Sequence, residues 1–105
     1  MDANRRRHVR YPSNQVVQVL AFRGELQERE SARMVDVSQT GMCYVGKRYL
    51  PNGTRVEIQF QDCLITGEVK NCRLREYASQ IEFVTGVHVD NILQGSDTWR
   101  DLTQS

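Results

Sequence analysis

Cysteine is scarce in this 105-residue chain, and no two cysteines have C-x-x-C spacing. Cys43, Cys63 and Cys72 are odd in number, which excludes a disulfide framework and a zinc site as expectations and fits a reducing, cytoplasmic setting. Each reads as a small core residue. Long apolar runs are also missing. Nothing approaches the roughly 18 residues of a membrane span, so no direct membrane insertion is expected. The polar, Arg-rich start has no apolar h-region, and a secretory leader is not expected. His8 and His88 are not spaced as a metal pair. There is no Ser-His-acid order and no pair of catalytic carboxylates, so an enzyme is not expected, and neither is a metal or organic cofactor. The chain has no internal repeat, no low-complexity segment and no sustained helical period.

With 39% hydrophobic and 26% charged residues, the composition is that of an ordinary globular protein, and the length suits one domain. The net charge of +1 hides an asymmetry. Arg5, Arg6, Arg7 and Arg10 against Asp2 give the first ten residues +3, which leaves −2 for the other 95. A cationic arm on a nearly neutral body points to an anionic partner met at the N-terminus.

The body reads as short strands punctuated by turns. Residues 15–23 are rich in β-branched and aromatic side chains, Gly24 breaks them, and 32–37 resumes the pattern. Ser38-Gln39-Thr40-Gly41 is a turn by composition, with a positive φ expected at Gly41, and Met42-Cys43-Tyr44-Val45 is the next apolar run. Leu50-Pro51-Asn52-Gly53-Thr54 is a strong turn signal. After it, Val56, Ile58 and Phe60 alternate with polar neighbours over 55–61, the period of a half-buried strand. Two further strands, 64–74 and 79–89, are interrupted by Gly67 and Gly86. Turns every eight to twelve residues predict a barrel or sandwich. Ser96 to Leu102 predicts a short helix at most, N-capped by Ser96 or Asp97 and packed through Trp99 and Leu102. Glu25, Glu28 and Glu30 read as a solvated hairpin end, and Tyr11, Tyr44, Tyr49 and Tyr77 as barrel packing.

Two constellations carry chemistry. In Arg5-Arg6-Arg7-His8-Val9-Arg10, guanidinium forks match phosphate oxygens and the N7/O6 edge of guanine; the bland alternative is a solvated basic tail. In Asp36-Val37-Ser38-Gln39-Thr40-Gly41, a carboxylate can accept from guanine N1 and N2 or orient an arginine, a hydroxyl can reach a phosphate, and glycine admits a ligand to the backbone; the bland alternative is a turn.

Together, Arg-x-x-x-Arg at Arg6 and Arg10 and Asp-x-Ser-x-x-Gly at Asp36, Ser38 and Gly41 resemble the signature of the PilZ domain family. Leu50 to Val56 is similar to the family's strand-leading turn. Gly86-Val87-His88-Val89 is similar to its closing strand, with Val89 where an aromatic is usual. The resemblance implies a six-stranded antiparallel all-β barrel over 13–95, a flexible arm over 1–12 and a tail over 96–105. It implies a receptor for the second messenger cyclic di-GMP in bacterial signalling such as biofilm and motility control. Arg6 and Arg10 would meet guanine edges and phosphates, Asp36 and Ser38 the base and the arm, and Gly41 the turn. Arg5 occupies the position that accompanies an intercalated ligand dimer. Arg7, His8 and Arg73 are weaker ligand candidates. With no apolar content before Val9 the arm cannot order itself, so it is expected to fold onto the barrel with ligand and to signal to an effector protein or attached domain. Two readings compete: a PilZ-fold interaction module without ligand, and a nucleic-acid-binding barrel. The net negative body disfavours the second, and no nucleic-acid partner is expected.

Overall fold

The computed structural model describes residues 9–104. The elements are β1 (Tyr11–Pro12), β2 (Val16–Arg23), β3 (Leu26–Val37), β4 (Gly41–Gly46), β5 (Arg55–Phe60), β6 (Cys63–Tyr77), β7 (Gln80–Gln94) and α1 (Ser96–Leu102). The strands pair in the order β1-β3-β2-β5-β6-β7-β4, and a further β3–β4 pairing closes β2 to β7 into a six-stranded antiparallel barrel. β1 lies outside this ring, on the edge of β3 that β2 also occupies, with Pro12 opposite Asp36.

Side-chain alternation builds the interior. Val17, Val19 and Ala21 of β2, Ala32 and Met34 of β3, Met42 and Tyr44 of β4, Val56, Ile58 and Phe60 of β5, Ile65 and Val69 of β6, and Val87 and Val89 of β7 fill it. The 55–61 alternation is realised as β5. β3 starts earlier than expected, because Leu26 and the polar stretch 27–31 are held by backbone pairing to β2 (Arg23↔Leu26 through Val16↔Arg33). β6 and β7 likewise run longer than expected and form a hairpin of two 15-residue strands. Its two-residue turn has Ala78 and Ser79 both at positive φ (52° and 64°), as a type I′ hairpin turn requires.

Two local expectations are corrected. Gly95 (φ 77°), not Ser96 or Asp97, is the N-cap of α1, and it makes no side-chain cap. A Cβ there would lie 2.5 Å from the Asp62 carbonyl oxygen, so the close approach of chain to chain dictates the residue. Asp97 instead pairs with Arg100 within the helix. Trp99 and Leu102 do pack on the barrel, Trp99 against Phe60 with ring centroids 6.4 Å apart. The second correction concerns Glu30. It is half-buried, its Oε1 accepts the Lys47 backbone N–H at 2.8 Å, and its carboxylate occupies the space over Gly46. It braces the end of β4 rather than standing in solvent. Among the described residues, no helix is long and apolar enough to cross a membrane.

Candidate ligand-binding groove

The outer face of the barrel carries the candidate site. Read across the strands, Asp36 of β3 is opposite Cys43 of β4, Cys43 opposite Gly86 of β7, and Gly86 opposite Asn71 of β6. Three inter-strand steps of about 4.8 Å separate Asp36 from Asn71, about 14 Å measured around the curved sheet. Between them stand only a thiol and a hydrogen atom. The row next to it sets Gly41 opposite His88. Small residues in the middle and polar ones at the sides leave a groove of about 420 Å³.

Two β-bulges aim its walls. Between Met34 and Asp36 the register to β4 slips by one residue. With strict alternation Asp36 would follow Ala32 and Met34 into the core. The extra residue, Val35, turns Asp36 outward and brings Val37 inward. The same slip between Val69 and Asn71 makes Lys70 the extra residue of β6. It keeps Cys72 against the core and leaves Asn71 and Arg73 outside.

The near wall is built by the chain entering β1. Pairing of Pro12 with Asp36 sets Arg10 beside that carboxylate. Arg10 donates from Nε (2.8 Å) and Nη2 (2.7 Å) to Asp36 Oδ1. Both side chains remain about a third exposed, at 37% and 28%. The far wall holds Lys70, Asn71, Arg73 and His88. Lys70 Nζ stands 3.6 Å from Glu68. Lys70 and Arg73 therefore face the Arg10–Asp36 pair across the groove. On the floor, burial pushes the Cys43 thiol up from its ordinary range. Asp36 adds to this, while Arg10, Arg73 and Arg75 pull the other way. The thiol is thus a neutral, compact floor rather than a nucleophile.

Of the residues singled out from sequence, Arg10, Asp36, Gly41 and Arg73 line this one groove. Arg5, Arg6, Arg7 and His8 lie outside the described residues. Ser38 is only 1% exposed and does not line the groove. Its backbone N–H donates to Gly41 O at 2.8 Å and closes the turn. Its hydroxyl lies 3.8 Å from where a Gly41 Cβ would be. Gly41 does not take the positive φ expected of it. Glycine suits the position because a Cβ would fall a tight 3.0 Å from the Val87 carbonyl oxygen. Thr40, Lys70, Asn71, Gly86 and His88 were not read as site residues, yet all line the groove. Two local signals bear on them: the apolar spacing of three from Val69 to Cys72, which marks the bulge at Lys70, and the outward phase of His88 between Val87 and Val89. Which strands lie side by side is a long-range fact that neither signal contains.

Comparison with known proteins agrees with this architecture. The PilZ domain profile matches residues 4–99. A solved structure, the Bacillus subtilis Inhibitor of motility (MotI/DgrA), superimposes with a TM-score of 0.64 at 16% identity. The alignment covers 94% of this chain and 48% of that one, so the chain spans about half the length of this structural neighbour. At that identity the likeness speaks for the fold alone. No curated protein matches the sequence. With a profile match across nearly its whole length and the closed six-stranded barrel to go with it, this chain belongs to the PilZ domain family.

Proposed function

We propose that this domain is a receptor for cyclic di-GMP and holds it in the groove between Arg10–Asp36 and the Lys70–Arg73 wall. PilZ domains are regulatory binding modules rather than enzymes, and the chemistry of the groove suits this ligand. The observation that carries the reading is the Arg10–Asp36 pair on the rim of a groove floored by Cys43 and Gly86. A cyclic dinucleotide offers two kinds of group. Its two phosphates are anionic and favour Arg10, Lys70 and Arg73, with Arg6 reaching from the arm. Asp36 repels phosphate but can accept the N1 and N2 hydrogens of guanine, which adenine does not offer in the same arrangement. The small floor side chains let a flat base approach the sheet.

In this reading Arg6 and Arg10 clasp guanine edges and phosphates, Asp36 fixes base and arm, and the buried Ser38 holds the turn behind them. Gly41 keeps the turn low. Arg5 supports a second, intercalated ligand molecule, and Arg7 and His8 flank it. The arm preceding β1 folds over the groove as ligand binds. Because β1 ties that arm to β3, ordering it repositions whatever effector or attached domain receives the signal, in the cytoplasm.

Isothermal titration calorimetry tests the proposal. Cyclic di-GMP is expected to bind with two molecules per chain, and cyclic di-AMP is expected to give no heat. A one-to-one stoichiometry would overturn the dimer, and equal binding of the two nucleotides would overturn the guanine-specific role of Asp36. Amide exchange over residues 4–11 is expected to slow with ligand. Unchanged exchange there rejects the arm's folding.

A further inference from the structure

The far wall of the groove continues into a part of β6 that, among the described residues, pairs with no strand on one side. Pairing of β5 with β6 begins at Arg55↔Glu68, and the loop before β5 extends the cover only to Val69, through Gly53 N–H to Val69 O and Val69 N–H to Thr54 O. Beyond this, Leu50 N–H reaches the Cys72 sulfur. From Arg73 to Tyr77 β6 is exposed throughout, and among the described residues no backbone bonds to it from that side.

Hydrogen-bond parity shows what that edge displays. Tyr77 and Gln80 flank the two-residue turn, so they form a hydrogen-bonded pair, as do Arg75↔Glu82 and Arg73↔Val84. The N–H and C=O groups of Leu74 and Glu76 therefore point away from β7, toward solvent. The edge also carries large apolar surface: Leu74 is 62% exposed and Tyr77 65%. The face bearing Leu74 continues through Ile81 and Phe83 to Tyr49, whose ring meets Phe83 edge-on with centroids 5.9 Å apart. The opposite face carries Arg73 and Arg75, with the Arg75 guanidinium held by Glu82 and stacked 5.4 Å over Tyr77. The other edge of the hairpin tip is too short to serve. β4 covers β7 up to Phe83, which leaves Ile81 as the one residue whose backbone groups point outward there.

We propose that this edge of β6 is a docking surface on which a partner protein adds a β-strand, with acidic residues opposite Arg73 and Arg75 and an apolar residue between them opposite Leu74. Charge selects a foreign strand over a second copy of this chain. A two-fold axis perpendicular to the sheet must place each residue opposite its mirror position. Centred on Leu74 it sets Arg73 against Arg75, centred on Arg75 it sets that arginine against itself, and centred on Glu76 it sets two glutamates together. Like charges directly opposite destabilise a strand pair, and charged edges are a known guard against self-association. An acidic–apolar–acidic strand meets the same edge with attraction on one face and burial on the other. Arg73 is shared with the groove wall, so the docking is tested on the edge of β6 without nucleotide.

The test uses the full chain, without nucleotide, and a short capped peptide alternating glutamate and valine, followed by NMR amide exchange. Leu74 and Glu76 N–H exchange is expected to slow at least roughly tenfold at saturating peptide, while Arg73 and Arg75, already bonded to β7, change little. Leu74→Pro and Glu76→Pro each remove only an outward N–H, a position where edge strands accept proline, and each should abolish the protection. Unprotected Leu74 and Glu76 amides at millimolar peptide would overturn the proposal, as would undiminished binding by both proline variants. Equal binding of a lysine–valine peptide overturns the charge argument, and protection that rises with protein concentration alone assigns the edge to a second copy.

Discussion

Replacing Asp36 with alanine separates a structural role for this residue from a ligand-binding one, because the two roles predict opposite patterns. In the free protein Asp36 holds Arg10 through a single carboxylate oxygen at 2.7–2.8 Å. Short contacts of this kind are strong in a dry interior, but both side chains here are about a third exposed. Screening by water and the entropy of fixing Arg10 reduce such a pair to about 0.2–1 kcal/mol. Among the described residues only Arg10 bonds to this carboxylate: the bulge that turns it outward is held by the backbone, and the neighbouring core residues Met34 and Val37 face the other way. For a domain of this size, about 1 kcal/mol lowers Tm by about 4–8 °C, so that is the ceiling expected for Asp36→Ala. In the ligand complex the same carboxylate would accept charge-assisted hydrogen bonds from guanine. Their loss costs about 1.5–3 kcal/mol, a weakening of Kd by about 10- to 150-fold. Thermal unfolding of the free variant and calorimetric titration with cyclic di-GMP measure the two quantities side by side. A Kd within about threefold of the parent chain, or a fall in Tm well beyond about 8 °C, would refute the reasoning and return Asp36 to the role of a turn residue.

At Gly67 a Cβ would sit 2.3 Å from the His88 carbonyl oxygen, so Gly67→Ala should force β6 and β7 apart and cost about 1–3 kcal/mol or more in urea unfolding. Gly24→Ala, with nothing within 4 Å and only a φ of +64° against it, should cost about 1 kcal/mol, as one left-handed residue does. An equal loss at both positions would contradict the close-approach argument. Ala78 and Ser79 both adopt positive φ, so the double change Ala78→Asn and Ser79→Gly should raise Tm by a few degrees by relieving that strain. A lower Tm would mean the turn is not of the assigned type. Arg55 donates two hydrogen bonds to Asp90, which hold the Asp90 carboxyl below the ordinary range, with help from Thr66. A depressed folded-state pKa gives stability that is complete above the unfolded value near 4 and lost as pH falls through the folded one. Arg55→Gln should therefore flatten the decline in stability below about pH 4 and leave its shape near neutrality unchanged, measured as urea midpoints across pH. A parallel displacement of the whole curve would reject the linkage.

Local pattern was enough for some of this architecture and could not reach the rest. β5 was legible because its inward and outward residues differ in chemistry at every step. The first half of β3 was not, because Gln27 to Ser31 are polar on both faces and owe their strand to the backbone of β2. The near half of the groove was readable as two local motifs, since Arg10 is joined to Asp36 by a strand pair whose ends are both short segments of known composition. The far half was not. Lys70, Asn71, Arg73 and His88 reach it through the pairing of β4 with β7 and of β7 with β6, and composition does not disclose which strands are neighbours in a closed sheet. Gly41 shows a finer limit. A glycine in a turn invites a conformational reason, whereas the reason here is the carbonyl of Val87 on a strand more than forty residues away.

The two bulges explain how a barrel this small keeps a polar site and a complete core on the same strands. β4 divides them by simple alternation, with Met42 and Tyr44 inside and Gly41 and Cys43 outside. On β3 and β6 simple alternation fails, since continuing it from Met34 would bury Asp36 and from Val69 would bury Asn71 and Arg73. One inserted residue in each strand reverses the phase at the border of the groove. The residues before the insertion still fill the barrel, and those after it turn their polar groups outward while Val37 and Cys72 resume the interior. The site therefore rests on backbone register more than on side-chain packing. Its walls can exchange charge for charge with little effect on folding, whereas removing Lys70 or Val35, the residue by which each strand exceeds its partner, would regularise the ladder, keep the pairings beyond it and remove the local bend that aims the wall.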